Sequence, residues 1–189
     1  KQLKPGKEYR AHMNKAVRGR DKRRVLHELA PVYDEHSRVL ILGSIPSPKS
    51  REAGFYYAHP QNRFWRVMSA VFGKPFPETA AQRRAFALSS GFALWDVLYS
   101  CEICGADDAS ICAPVPNDLN RIICSAPIEA VFCTGTKAYS LYNQYCRTQT
   151  GREAALLPST SPANCRYHTF DSLCEAYRVI QKICERGDR

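Results

Sequence analysis

Short unbroken apolar runs alternate with helical periodicity along most of this chain. Val39-Leu40-Ile41-Leu42 stops at Gly43, Ala130-Val131-Phe132-Cys133 at Thr134-Gly135, and Ala155-Leu156-Leu157 at Pro158. The first two runs, closed by turn residues, predict buried strands and the third predicts an apolar strand. Phe92 to Leu98 is a further candidate strand. Between the runs, Phe64, Trp65, Val67, Met68, Val71 and Phe72 recur at helical spacing, and residues 78–90 predict a helix ended by Gly91. Another helix opens at Asn117 or Asp118. Lys137 to Cys146 aligns Ala138, Leu141, Tyr142 and Tyr145, while 171–185 aligns Leu173, Ala176, Tyr177, Ile180 and Ile183, with Cys184 beside them. No internal repeat interrupts this order. Alternating strands and helices predict a three-layer α/β/α domain around a central, mostly parallel sheet of about four strands.

In such sheets ligands bind beyond the carboxyl ends of the strands. Those ends are Gly43-Ser44, Thr134-Gly135 and Ser159-Thr160, and they converge on one rim. Two unusual loops therefore face one cleft. The first, Ser44 to Asn62, is rich in Pro, Ser, Gly and aromatics, and loops this long inside a compact domain are usually functional. It contains Phe55, Tyr56 and Tyr57 in succession, then His59, Gln61 and Asn62, with Arg63 just beyond. Flat rings beside amide and imidazole hydrogen-bonding groups suit a pocket for a planar heterocycle. The same residues also suit plain lid packing, with His59 and Asn62 capping the next helix. The loop matches no phosphate-binding, dinucleotide or nucleophile-elbow motif.

Composition narrows the class. The 189 residues are 44% hydrophobic and 11% aromatic, which excludes a disordered chain. No apolar run approaches a membrane span and no signal-peptide pattern opens the sequence, so the expectation is a soluble intracellular protein in a reducing compartment, cytoplasm, nucleoid or nucleus. The net charge of +9 suggests a polyanion, yet residues 1–24 hold ten basic and two acidic side chains, leaving residues 25–189 nearly neutral. Residues 1–24 read as a basic arm, either a DNA-binding aid or a solvated tail, and 25–189 as a single domain. Met13 offers an alternative start, which would make residues 1–12 foreign or an upstream extension. Nine cysteines spread from Cys101 to Cys184 read as buried free thiols. Cys101 and Cys104 have metal-ligand spacing, but no second pair matches it. No metal and no cofactor are expected.

The chain resembles the uracil-DNA glycosylase superfamily, in particular its hypoxanthine-DNA (deoxyinosine) glycosylase branch. The resemblance runs from about Pro31 to Ile183 and rests on Leu40-Ile-Leu-Gly-Ser-Ile-Pro-Ser47, Tyr56-Tyr-Ala-His-Pro-Gln-Asn-Arg-Phe-Trp65, Asp107-Asp-Ala-Ser-Ile111 with Asn117-Asp118, and Leu157-Pro-Ser-Thr-Ser-Pro-Ala-Asn164. Mismatch-specific uracil glycosylases share the His-Pro-x-Asn-Arg-Phe-Trp portion. They carry a water-positioning Asn two residues after the first glycine, where this chain has Ile45.

The resemblance implies a role for each loop residue. Asn62 is the expected catalytic residue, with His59 beside it as a donor to the leaving base. Tyr57 stacks on the flipped base, and Gly43, Ser44, Ile45, Pro46 and Ser47 line its pocket. Ser159, Thr160, Ser161, Pro162, Ala163 and Asn164 form the segment that enters the DNA, with Ala163 or Pro162 as a small wedge and Arg166 reaching a phosphate. Asp107, Asp108, Ser110, Asn117 and Asp118 fix a loop and cap a helix. No lysine, Lys49 included, sits in surroundings that would make it a Schiff-base nucleophile.

The expected function is thus a monofunctional DNA glycosylase. Its substrate would be damaged DNA, double- or single-stranded, and hypoxanthine in deoxyinosine the base released by a monomeric enzyme without membrane attachment. Two other readings are a uracil or mismatch-specific glycosylase and a non-catalytic nucleic-acid-binding module.

Overall fold

A computed structural model of the protein describes residues 23–104 and 110–188. Asp107, Asp108 and residues 1–22 of the basic arm lie outside them. The central sheet holds four parallel strands in the order β3 (Phe92–Asp96), β2 (Val39–Gly43), β6 (Ala130–Thr134) and β7 (Ala154–Leu157). β2 is buried along its whole length, as an unbroken apolar run predicts for an interior parallel strand. The register sets Gly43 opposite Asp96 and Thr134 opposite Leu157. One carboxyl rim therefore carries Gly43, Asp96, Thr134 and the chain leading to Ser159.

The candidate strand Phe92 to Leu98 is in fact two strands. The chain leaves the parallel sheet after Asp96 and enters β4 (Leu98–Ile103), the middle of an antiparallel sheet ordered β1 (Arg23–Leu26), β4 and β5 (Cys112–Pro116). Arg23 and Arg24, the last two residues of the basic arm, thus pair with Ile103 and Glu102. β5 escapes a periodicity search because it carries two prolines, shifts register against β4 and places Ala113 at φ 46. Proline is tolerated on an edge strand, where its missing N–H breaks no interior ladder.

The helices form where their caps allow. α2 (Phe64–Phe72) buries Phe64, Trp65, Val67, Met68 and Val71, and Gly73 ends it at φ 61, a left-handed conformation that glycine adopts without strain. α3 (Ala80–Ser89) begins after a capping box in which Thr79 and Gln82 satisfy each other's backbone N–H groups. The short α4 (Asn120–Ile123) starts later than Asn117 or Asp118, with Leu119 at its N-cap and Asp118 Oδ1 accepting from the Asn120 N–H. α5 (Thr136–Tyr145) follows β6 directly. A single turn, α6 (Arg147–Thr150), then leads into β7. α7 (Phe170–Cys184), capped by Thr169, packs against α2 and buries Leu173, Tyr177 and Ile180. Within the first loop, Pro48–Glu52 winds into a short helix, α1, capped by Ser47.

No helix among the described residues is long and apolar enough to cross a membrane, and no group of three or more His, Cys, Asp or Glu there could hold a metal ion. Cys133 and Cys146 are fully buried, and burial pushes their thiols up to about 12 and about 11 from an ordinary 9.0. A proton held more tightly in the folded chain stabilises it below the unfolded value and ceases to do so as pH rises through the folded value. Urea midpoints are therefore expected to fall as pH rises from 9 towards 12. In the native protein at pH 8, a maleimide should label the exposed Cys124 and Cys165 and spare Cys133 and Cys146 until denaturant is added. Peptide mapping of the adducts reads both outcomes.

Candidate active site

Three consecutive aromatics open the site, and they divide by function. Phe55 packs against Tyr56 and Trp65 in the core. Tyr56 is buried, its hydroxyl donates to the Ala30 carbonyl at 3.1 Å, and its own carbonyl accepts from Trp65 Nε1 at 3.0 Å. Both therefore serve the lid packing that the sequence left open. Tyr56 and Tyr57 both reach the cleft, and of the three Tyr57 is the one that is only part-buried. One face of its ring stacks on Phe64 at a centroid distance of 3.9 Å and 11° between planes, and its hydroxyl lies 3.1 Å from Thr134 Oγ1. Burial, and then the charge of nearby Asp96, hold its phenol well above the usual range, so it stays neutral. Its backbone sits at φ 53, a conformation costing a non-glycine residue about 1–3 kcal/mol, and the ring contacts hold it there.

Asn62 is fixed with equal definition. Its Oδ1 accepts from the Phe64 N–H at 2.9 Å and from Thr160 Oγ1 at 2.8 Å. An N–H can only donate, so the atom facing it must be the oxygen, and both amide hydrogens on Nδ2 remain for other partners. The same side chain therefore performs the helix-start role and lines the cleft. Arg63 reinforces the junction: its N–H donates to the Thr160 carbonyl at 3.1 Å and its Nη1 to the His168 carbonyl at 2.5 Å. These bonds join the two loops that the sequence placed on one rim.

Between the loops lies a cavity of about 340 Å³. Its lining includes Gly43, Ser44, Ile45, Pro46 and Ser47 from the first loop, Tyr57 and Asn62, and Ser159, Thr160, Ser161, Ala163 and Asn164 from the second. Ile45 is nearly buried and brings no hydrogen-bonding side-chain group. Three expected site residues stand apart from the lining. His59 is half-buried, its Nδ1 accepts from the Gln61 N–H at 3.1 Å and its carbonyl accepts from the Asn62 N–H at 2.8 Å, so it shapes the turn that presents Asn62. Pro162 opens a single 3-10 turn over Pro162–Asn164, and Arg166 is exposed beyond it.

Sequence reasoning missed Asp96, the only carboxylate lining the cavity among the described residues. It is buried at the end of β3, with Oδ2 at 2.9 Å from Nε2 of the equally buried His27. A lone Asp inside Phe92-Ala-Leu-Trp-Asp-Val-Leu98 was the available signal, since burying a carboxylate is costly without a partner. The partner itself, His27, lay in a segment without any motif.

A parallel sheet with two rim loops tied around a cavity that Tyr57 and Asn62 line defines the candidate active site of an α/β protein. Comparison with known proteins makes the class specific. Residues 30–183 match the family model of the uracil DNA glycosylase superfamily, and the chain belongs to that superfamily. It is similar to proteins named hypoxanthine DNA glycosylase from Methanosarcina acetivorans, 31% identical over 137 residues, and Methanosarcina barkeri, 34% identical over 138 residues. Each alignment covers 72% of this chain and 86% of the relative. It is also similar to a solution NMR structure from M. acetivorans described as a candidate uracil DNA glycosylase. There the TM-score is 0.69 at 27% identity, with coverage of 81% of this chain and 96% of that one.

Gly43 and Thr160 test the geometry of the rim. A methyl group at Gly43 would stand 2.3 Å from Asp96 Oδ1, so Gly43→Ala should displace the carboxylate and lower the melting temperature. Thr160→Val keeps the buried shape but removes one of the two bonds on Asn62 Oδ1. About 0.5–1.5 kcal/mol of stability should be lost, read by urea unfolding.

Proposed function

We propose that this protein is a monofunctional DNA glycosylase that hydrolyses the N-glycosidic bond of a deaminated base, hypoxanthine in deoxyinosine, and leaves an abasic site. The relatives named hypoxanthine DNA glycosylase support the substrate. The observation that carries the reading is the pairing of a fixed Asn62 amide with the open face of Tyr57 in one cavity. The enzyme is proposed to act on damaged DNA as a monomer.

Chemistry on a base inside a duplex requires extruding the nucleotide, and a weakened pair costs least to open. The flipped ring stacks on the Tyr57 face opposite Phe64. Ser159, Thr160, Ser161, Pro162, Ala163 and Asn164 approach the strand from the cavity mouth, with Arg166 as a phosphate contact. Bond cleavage builds positive charge on the sugar and electron density on the departing base. Because Asn62 Oδ1 is already doubly engaged, Asn62 acts as a donor: Nδ2–H stabilises the electron-rich leaving base. It does not serve as the acceptor that pulls a proton from water. His59 supports this by setting the turn that presents Asn62, and it stands outside the cavity lining. Arg51 is the sole cationic side chain lining the cavity among the described residues, and a guanidinium forms no Schiff base, which fits hydrolysis without a lyase step.

The test uses duplexes carrying deoxyinosine, deoxyxanthosine or deoxyuridine in single-turnover assays, with alkali to cleave abasic sites. Wild type is expected to release hypoxanthine fastest. Asn62→Asp keeps an Oδ1 acceptor for both existing bonds and removes the Nδ2 donors, so the rate should fall by at least about tenfold with the melting temperature nearly unchanged. Equal rates for Asn62→Asp and wild type would overturn the donor role. Absence of cleavage on all three duplexes would leave a nucleic-acid-binding module.

A further inference from the structure

The buried Asp96–His27 pair has no part in the chemistry above, and its position relative to Tyr57 suggests one. We infer that Asp96, held by His27, is the acceptor that reads the ring N1–H of hypoxanthine and so separates the deaminated base from adenine. This rests on the glycosylase reading of the cavity.

Depth is the first observation. A flipped base stays tethered through its sugar, so its glycosidic end stays at the cavity mouth and its opposite edge goes to the floor. Asp96 is 4% exposed and ends β3 opposite Gly43, on the floor of the sheet rim. A Cβ built on Gly43 would lie 2.3 Å from Asp96 Oδ1 and 3.7 Å from the Tyr57 hydroxyl, so the carboxylate and the tip of the stacking ring meet at the same place. A base lying on Tyr57 with its sugar outward turns its far edge to Oδ1.

Hydrogen-bond polarity is the second. A carboxylate accepts and cannot donate. Deamination of adenine converts N1 from a lone-pair acceptor into an N–H donor, so Oδ1 attracts hypoxanthine and repels adenine at the same ring position. Guanine carries the same N–H, and this contact does not tell it apart. The third observation is restraint: Oδ2 is engaged by His27 Nε2 at 2.9 Å, and the Asp96 backbone carbonyl accepts from Asn117 Nδ2 at 2.9 Å. Asn117 is buried as well. With one oxygen and the main chain held, the other oxygen has a fixed direction, as selection by a single bond demands. His27 lies outside residues 30–183 and touches no part of the expected base position, so it acts as a positioning residue.

The experiment measures equilibrium binding, by fluorescence anisotropy, to duplexes with non-cleavable 2′-fluoro nucleosides of hypoxanthine or of unsubstituted purine, which has a lone pair at N1. Wild type should bind the hypoxanthine duplex at least about tenfold more tightly, in the range of one well-made polar contact to a base edge. Asp96→Asn is nearly isosteric, still accepts from His27, and can present a donor to the lone pair. It should narrow the preference to less than threefold. His27→Phe removes the anchor and should also narrow it, whereas a merely structural pair would weaken both duplexes equally. A wild-type preference below threefold, which needs no variant to fold, or a preference kept by Asp96→Asn, overturns the inference while leaving glycosylase activity intact. If wild type binds neither duplex better than undamaged DNA and releases no base, the glycosylase reading fails and this one with it.

Discussion

The bond between Asn62 Oδ1 and Thr160 Oγ1 holds the site together. It spans 98 positions of sequence and joins the loop after β2 to the loop after β7. Thr160 is 1% exposed, so the bond is made away from competing water and its loss would leave a buried acceptor short of a partner. Arg63 adds two contacts at the same seam, and Tyr177 donates to the Pro158 carbonyl from α7 below. Loops are ordinarily the mobile parts of a domain, yet here the loop after β2 and the loop after β7 are tied into one body. A fixed amide orientation follows directly, and it leaves the Nδ2 hydrogens as the groups Asn62 can offer.

Register supplies the other constraint. Gly43, Asp96 and Thr134 reach the same rim because β2 pairs with β3 and β6 in parallel. The absence of a side chain at Gly43 permits the carboxylate to approach, and the Tyr57 hydroxyl lies close by. The antiparallel sheet looks peripheral to this arrangement but is not, since β1 leads straight into His27, whose N–H donates to the carbonyl of Tyr99 in β4 at 2.7 Å. The second sheet therefore delivers the group that anchors Asp96. A floor built from two sheets explains how one buried acid is tolerated: it is paired on one oxygen and meets the cavity with the other.

Much of the scaffold was legible in the sequence. Unbroken apolar runs located β2, β6 and β7 to within one residue; for β2 and β6 a strand covered on both faces has no other composition available, whereas β7 is an edge strand with Ala155 and Leu156 exposed. Helical spacing located α2, α5 and α7 for a similar reason. The strand from Phe92 was read too long, since apolar patterning continues through Val97 and Leu98 while the chain changes sheets. β5 was hidden by its prolines, and α1 by its brevity. In the site, the motif containing Tyr57 and Asn62 was visible, whereas the split of Phe55 and Tyr56 into the core was not: three adjacent aromatics look alike until the backbone turns at Tyr57.

Local order thus came from the sequence alone: the apolar runs and capping residues determine their own elements, because burial and backbone hydrogen bonding act over a few residues. Tertiary structure decided which hydrogen-bonding atoms remain free. Asn62 could have been an acceptor or a donor until Thr160 and the Phe64 N–H occupied its oxygen, and Asp96 could have been an ordinary strand residue until His27 met it across 69 positions. Polarity at a site is set by partners distant in sequence, and only the folded chain brings those partners within bonding distance.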